Sequence, residues 1–253
     1  MKRGMIIAFV VLSVVRSWAQ PAEISAAIES GNQYYTSSDY TAAVEQYESV
    51  IRGGYESAEL YFNLGNAYFK LNDFPSAILY YEKSLKLDPT DENTKFNLAL
   101  ADSRIVDKIE PLPEFFMKSW WKSSRNLFSS DKWARLSITA FLLILVSAGL
   151  FIISRSVTIR KVSFWAGLII LAFMILSLSF SLHGYHDYKH QSSGIIFTPT
   201  VTVKSSPSSG SVDLFVIHEG TKVYITDRVE DWCEVKLTNG NVGWIKTETF
   251  RPI

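Results

Sequence analysis

The 253-residue sequence predicts a multi-domain chain of α plus β class, with a short α-solenoid of helix pairs, a two-helix transmembrane hairpin and a small C-terminal β-barrel. Three observations carry that prediction. Gly31 and Gly65 stand 34 residues apart in matching surroundings. Two runs, Leu136 to Ile153 and Val162 to Leu182, hold 18 and 21 residues without an Asp, Glu, Lys or Arg. From Ile195 onward, short alternating apolar runs are separated by turn residues.

The chain opens with Lys2 and Arg3, an apolar run from Met5 to Val15, and Ser17-Trp18-Ala19. A basic start, a short apolar stretch and a small-x-small site make up an export signal, and the apolar stretch is too short to cross a bilayer. Residues 1–19 are therefore expected to be a signal peptide, with an uncleaved anchor as the alternative because Arg16 adjoins the site.

Residues 20–108 are expected to form the solenoid. After Gly31 come Tyr34, Ala43, Tyr47 and Val50, and after Gly65 come Tyr68, Ala77, Tyr81 and Ser84 at the same offsets, with Pro89 closing the second unit. Small residues let paired helices approach and aromatics fill the gap between them. This pattern resembles the tetratricopeptide repeat. A third echo, Asn97-Leu98-Ala99, fades where Asp102 replaces the tyrosine, so the stretch from about Asp91 to Lys108 is expected to be a polar cap helix. In this register the inward faces of the first helices carry Asn32, Tyr35, Phe62, Asn63, Asn66, Phe69 and Lys70, a groove of aromatics and amides suited to an extended peptide or a partner helix. Packing against a neighbouring element is the competing reading. Asn32 and Asn63 match asparagines of repeat domains that clamp a peptide carboxylate, whereas Ile28 and Phe96 stand where that clamp needs lysines.

Between solenoid and spans, residues 109–132 interleave Phe115, Phe116, Trp120, Trp121 and Phe128 with Lys118, Lys122, Arg125 and Lys132 after Pro111 and Pro113, the composition of a helix lying in the headgroup layer. Transmembrane helices are expected at 133–153 and 162–182, joined by a cytoplasmic loop at 154–161 and followed by a linker at 183–194. A hairpin places both large flanking regions on one side. Five basic residues precede the first span and three (Arg155, Arg160, Lys161) lie in the loop, so charge alone leaves the orientation open. The export signal favours repeats and barrel on the periplasmic side of a bacterial inner membrane. Ion or proton transport is not expected of the runs 136–153 and 162–182, which hold no acidic or basic side chain.

Beyond the second span, His183, His186, Asp187 and His190 recur at helical spacing. Imidazoles beside a carboxylate can ligate a transition metal, which makes a metal-binding or stress-sensing protein the alternative function. The competing reading is a polar exit from the membrane, and no metal site or cofactor is assigned.

Residues 195–253 are expected to be all-β, with strands at Thr200–Lys204, Val212–Ile217, Thr221–Asp227, Trp232–Leu237 and Val242–Ile245. The run from Val201-Thr202-Val203-Lys204 through Asp231-Trp232-Cys233-Glu234-Val235 to Asn239-Gly240-Asn241-Val242-Gly243-Trp244-Ile245 resembles the bacterial SH3 domain, and Asn239-Gly240 supplies a tight hairpin. Trp232 and Trp244 are its candidate contact residues, with core filling the competing role for Trp244. Cys233, the single cysteine, is expected to face the core.

Lysine plus arginine equals aspartate plus glutamate at 25 each, so charge gives a nucleic-acid role no support. No nucleophile with its base, phosphate loop or cysteine–histidine zinc spacing is present, so no catalytic residue is assigned and an enzyme is not expected.

Taken in order, Tyr61-Phe62-Asn63-Leu64-Gly65-Asn66-Ala67-Tyr68, Leu87-Asp88-Pro89, Trp120-Trp121, the two spans and the Ser205-Ser206-Pro207 to Gly243-Trp244-Ile245 module resemble the BatE family of the bacterial aerotolerance operon. That resemblance implies a scaffold working with other Bat proteins, several bearing von Willebrand A-type domains, in oxygen tolerance or envelope stress. Membrane lipid and cell-wall glycan are further expected contacts, and an accessory role in cell-wall remodelling is another alternative.

Overall fold

A computed structural model describes residues 22–113, 115–190 and 192–253; the expected signal peptide lies outside them. Five helices form the repeat stack: α1 (Ala22–Thr36), α2 (Tyr40–Arg52), α3 (Ala58–Lys70), α4 (Phe74–Leu87) and α5 (Glu92–Asp102). The glycines sit at the helix crossings. A Cβ added to Gly31 would lie 2.5 Å from Tyr47 Cε1, and one on Gly65 would lie 2.7 Å from Tyr81 Cδ1. Tyr47 and Tyr81 are each 1% exposed, and Ala43, Leu64, Ala67 and Ala77 are fully buried beside them. The turns repeat as faithfully. Ser38 and Asn72 adopt left-handed φ of 66° and 62°, and the next residues, Asp39 and Asp73, cap α2 and α4 by accepting from Ala42 N and Ser76 N at 3.1 Å. The cap helix α5 is shorter than expected: it ends at Asp102, and residues 103–113 run on as an irregular strap along the barrel.

After α6 (Phe116–Arg125), α7 (Ser130–Ile153) and α8 (Val157–His190) form an antiparallel pair. Small residues line their contact. Ser147 donates to Ser163 O at 2.6 Å and Ser181 to Ser130 O at 3.1 Å, bonds that fix opposite ends of the hairpin. At about 1.5 Å per residue both helices exceed the hydrocarbon thickness of a bilayer. Their apolar windows are only 17% and 11% buried within the protein, unlike the core helix of a soluble domain, and both are long and apolar enough to cross a membrane. The helix boundaries differ from expectation. α8 starts at Val157, leaving a loop of only Ser154 to Ser156, and continues through most of the expected linker to His190. Helical hydrogen bonding persists past the apolar stretch because no glycine–proline break ends it.

The C-terminal sheet contains β1 (Ser193–Ile196), β2 (Thr200–Lys204), β3 (Asp213–His218), β4 (Lys222–Val229), β5 (Trp232–Lys236), β6 (Val242–Lys246) and β7 (Phe250–Pro252), in the order β3-β2-β6-β5-β4-β1-β7, with a 3-10 turn at Thr247–Thr249. Its core is Ile196, Val203, Ile217, Val223, Cys233, Val235 and Ile245. Cys233 faces inward as expected, fully buried. The β5–β6 turn closes through Gly240 N to Leu237 O at 3.0 Å, with only Gly240 left-handed (φ 89°). It is therefore a type I turn with a glycine bulge rather than a two-residue loop.

Repeat stack and barrel are packed together. Ile195 joins the core cluster of Ala77, Ile78, Leu79 and Tyr81, with Phe197, Ile105 and Ile253 against it. From the strap, Asp107 accepts from His218 N at 2.7 Å and from Thr221 Oγ1 at 2.7 Å, and Leu112 N donates to Thr238 O at 3.1 Å. Glu82 on α4 pairs with Lys222 on β4 at 2.6 Å.

Candidate functional site

The inner face of the stack is built from α1, α3 and α5. Its asparagines are already engaged. Asn32 Oδ1 accepts from Tyr47 Oη at 2.7 Å and from Asn63 Nδ2 at 3.3 Å. One period later, Asn66 Oδ1 accepts from Tyr81 Oη at 2.7 Å and from Asn97 Nδ2 at 2.8 Å. This ladder stitches each repeat to the next. Burial first, then the neighbouring Tyr35, Glu29 and Glu59, pushes the Tyr47 hydroxyl up to about 12, so it remains a donor across the physiological range. Burial likewise raises Tyr81. Asn32, Asn63 and Asn66 thus have a structural role on this face, because a buried tyrosine hydroxyl needs an acceptor and the period supplies one, while each remains half-buried there.

The aromatic members are half-buried. Phe62 leans on Tyr81 with centroids 6.2 Å apart, Phe69 meets Phe74 at 5.6 Å, and Tyr35 meets Tyr40 at 5.3 Å. Lys70 is exposed. Two further residues belong to this face: Phe96, which the sequence reading places only as a departure from the carboxylate clamp, and Leu100, which it does not name. Phe96, 70% exposed, stands one period after Phe62, and Leu100, 38% exposed, one period after Asn66. Among the described residues no helix packs over Phe96 as α4 covers Phe62. Counting 34 residues on from Phe62 finds it.

On the barrel, burial alternates along β5 and β6, so Cys233, Val235, Gly243 and Ile245 point inward while Trp232, Glu234 and Trp244 are half-buried on the outer face. Trp244 does not fill the core, contrary to the competing role given to it. Gly243 holds the tight position instead: a Cβ there would lie 2.5 Å from Val203 Cγ1 and 2.9 Å from Lys204 O. Trp232 and Trp244 lie on neighbouring strands, with Glu234 opposite Trp244. The pair presents a shallow aromatic surface with one carboxylate.

At the end of the hairpin, His183 is exposed, its ring 6.5 Å from that of Trp121, with Nδ1 3.2 Å from Ser179 O. His186 is exposed too, and the side chains of Asp187 and His190 lie outside the described residues. Among the described residues no group of three metal-ligating side chains converges.

Comparison with known families agrees with this division. A tetratricopeptide repeat model matches residues 58–91, a TPR repeat model matches residues 31–72, and a bacterial SH3 domain model matches residues 199–250. No curated protein matches the chain. The fold thus comprises a helical tetratricopeptide-like region, two apolar helices and an SH3-like antiparallel sheet, and both terminal modules are of the protein-interaction kind.

Proposed function

We propose that the protein is a non-enzymatic, membrane-anchored adaptor. Its repeat face binds a protein partner, with Phe62, Phe69, Tyr35, Lys70 and the uncovered Phe96 as contact residues. The Trp232/Trp244 face supplies a second contact, to protein or wall glycan, and the hairpin holds both at the outer surface of a bacterial inner membrane. The domain limits that go with this reading are repeats with cap helix at 20–108 and an SH3-like module at 195–253. One observation carries it: the two modules are joined by the Asp107–His218 and Glu82–Lys222 contacts and meet the hairpin through Lys132 and Asp88, 3.6 Å apart. Two surfaces held at fixed separation gain from effective concentration without new contacts. The segment order, which resembles BatE, supports Bat proteins as partners in an aerotolerance or envelope-stress complex.

The test is photocrosslinking in cells from Lys70 and Phe96, with Gln46 on the second helix of the first repeat as control. A common protein adduct from both groove positions, with the Lys70 adduct lost in Phe96→Asp without a change in melting temperature, supports the assignment. Adducts no stronger than those from Gln46 would refute it.

A further inference from the structure

Where the repeat stack, the barrel, α6 and the end of the hairpin meet, they enclose an open cleft of about 610 Å3. Five cationic side chains from four elements line it: Lys86 on α4, Lys95 on α5, Lys122 and Arg125 on α6, and Lys222 on β4. Among the described residues that line it, the carboxylate side chains are Glu82 and Asp131, and Lys95 also pairs with Glu92 at 2.8 Å. Lys222 holds Glu82 at 2.6 Å, and Lys86 donates to Ile253 O at 3.0 Å. Burial lowers Lys86 and nearby Lys222 lowers it further, with Glu56 opposing both, whereas Glu82 raises Lys222.

The opposite wall is aromatic. Trp133 packs on Phe180 with centroids 5.0 Å apart and on Phe128 at 5.1 Å, and its indole donates to Arg125 O at 2.7 Å, tying α6 to α7. Trp121 closes on Phe180 at 4.8 Å. Directly beyond these rings begin the outward apolar side chains of the hairpin, Ile138 and Phe141 on α7 and Leu182 on α8. α6 adds Phe116, Met117 and Trp120, all more than half exposed. The cleft is cationic toward water and aromatic toward the apolar belt, the polarity profile of a phospholipid at the headgroup level.

We propose that this cleft binds the phosphate-bearing headgroup of an anionic phospholipid, with the acyl chains running down the outside of α7 and α8. The proposal rests on the membrane-anchored reading above. A soluble phosphate ester shares the charge chemistry, but it would leave the aromatic wall and the adjoining apolar belt unused.

The test uses the full chain. Carbonate washing of cell membranes first establishes whether the protein is integral. Delipidated protein in neutral detergent is then offered phosphatidylglycerol or phosphatidylcholine, and one-to-one retention is read by native mass spectrometry. Phosphatidylglycerol is expected to be retained at least about tenfold better, because several cations meet its headgroup. The Lys122→Gln/Arg125→Gln variant is expected to fall to the phosphatidylcholine level with its melting temperature in detergent unchanged. Should that variant unfold, the wild-type lipid preference and its loss in the exposed Lys95→Glu variant still decide the matter. Equal retention of the two lipids by integral protein overturns the inference and leaves the anchor reading standing. Displacement of phosphatidylglycerol by millimolar glycerol 1-phosphate would reassign the cleft to a soluble ester. Protein released by carbonate sinks both readings.

Discussion

Asp107 grips His218 at two points: its Oδ2 accepts the backbone N–H at 2.7 Å and its Oδ1 lies 2.8 Å from ring Nδ1. With Thr221 donating to the same carboxylate at 2.7 Å, one side chain from the strap secures the β3–β4 turn of the barrel. Burial alone would raise this carboxyl, but the hydrogen bonds from Thr221 and His218 outweigh it and hold Asp107 below the ordinary aspartate value. A folded-state depression contributes stability that is present above the unfolded value, about pH 4, and is lost as pH falls through the lower folded value. The protection of amides in β3 and β4, relative to their intrinsic exchange rates, is therefore expected to hold from neutral pH down to about 4 and to fall below it. In Asp107→Ala the protection is expected to be lower near neutral pH by about 1–3 kcal/mol, because its donors are left unsatisfied, and to converge on wild type below the folded value. Unchanged exchange in the variant would mean that Asp107 does not dock the barrel.

Glu82 and Lys222 make the second joint. Burial would lower the Lys222 ammonium, and the Glu82 carboxylate more than restores it. Side-chain exposures of 17% and 27% place this pair between surface and core. Glu82→Gln is expected to cost about 1–3 kcal/mol, read as earlier loss of protection in β1, because it strands a half-buried cation. The apolar double variant Glu82→Leu/Lys222→Met is expected to recover much of that loss.

Glycine substitutions separate packing from propensity. Gly65→Ala would drive a methyl into the Tyr81 ring, which is 1% exposed and tethered to Asn66. It is expected to cost about 1–3 kcal/mol in thermal or denaturant unfolding despite alanine's better helix propensity. Gly149→Ala in α7, where an added Cβ meets nothing within 4 Å, is expected to be neutral or stabilising. Equal effects at the two sites would contradict the crossing geometry.

Cys233, fully buried with Sγ 3.3 Å from Thr247 Oγ1, is expected to resist maleimide in the folded protein and to label fully in denaturant. Labelling at native rates would show that the barrel core opens.

The solenoid is legible in the sequence because its period is a packing rule: the spacing of Gly31 and Gly65, with Tyr47 and Tyr81, marks the helix crossings. The same period carries finer information. Asp39 and Asp73 mark the caps of α2 and α4, and Asn32 and Asn66 mark the tyrosine acceptors, yet amides on a helix face read as surface groups because sequence alone does not show which side chain reaches a buried hydroxyl. Apolar length locates the spans, but charge and polarity at Arg160, Lys161 and His183 suggest ends that backbone hydrogen bonding ignores. The barrel's alternation marks five strands and misses β1 and β7, whose three or four residues are too short to show a period. The Asp107–His218 contact joins residues 111 apart and leaves no local trace.

Cysteine accessibility tests the central claim most directly: both interaction modules stand on one side of a membrane and the short α7–α8 loop on the other. Glu59→Cys on the repeats, Ser209→Cys on the barrel and Ser156→Cys in the loop all introduce thiols at exposed positions against an otherwise buried cysteine. With a membrane-impermeant maleimide applied to spheroplasts, the thiols at 59 and 209 are expected to label at once and the thiol at 156 only after lysis. Labelling of 156 in intact spheroplasts, or of only one of the two modules, would contradict the account.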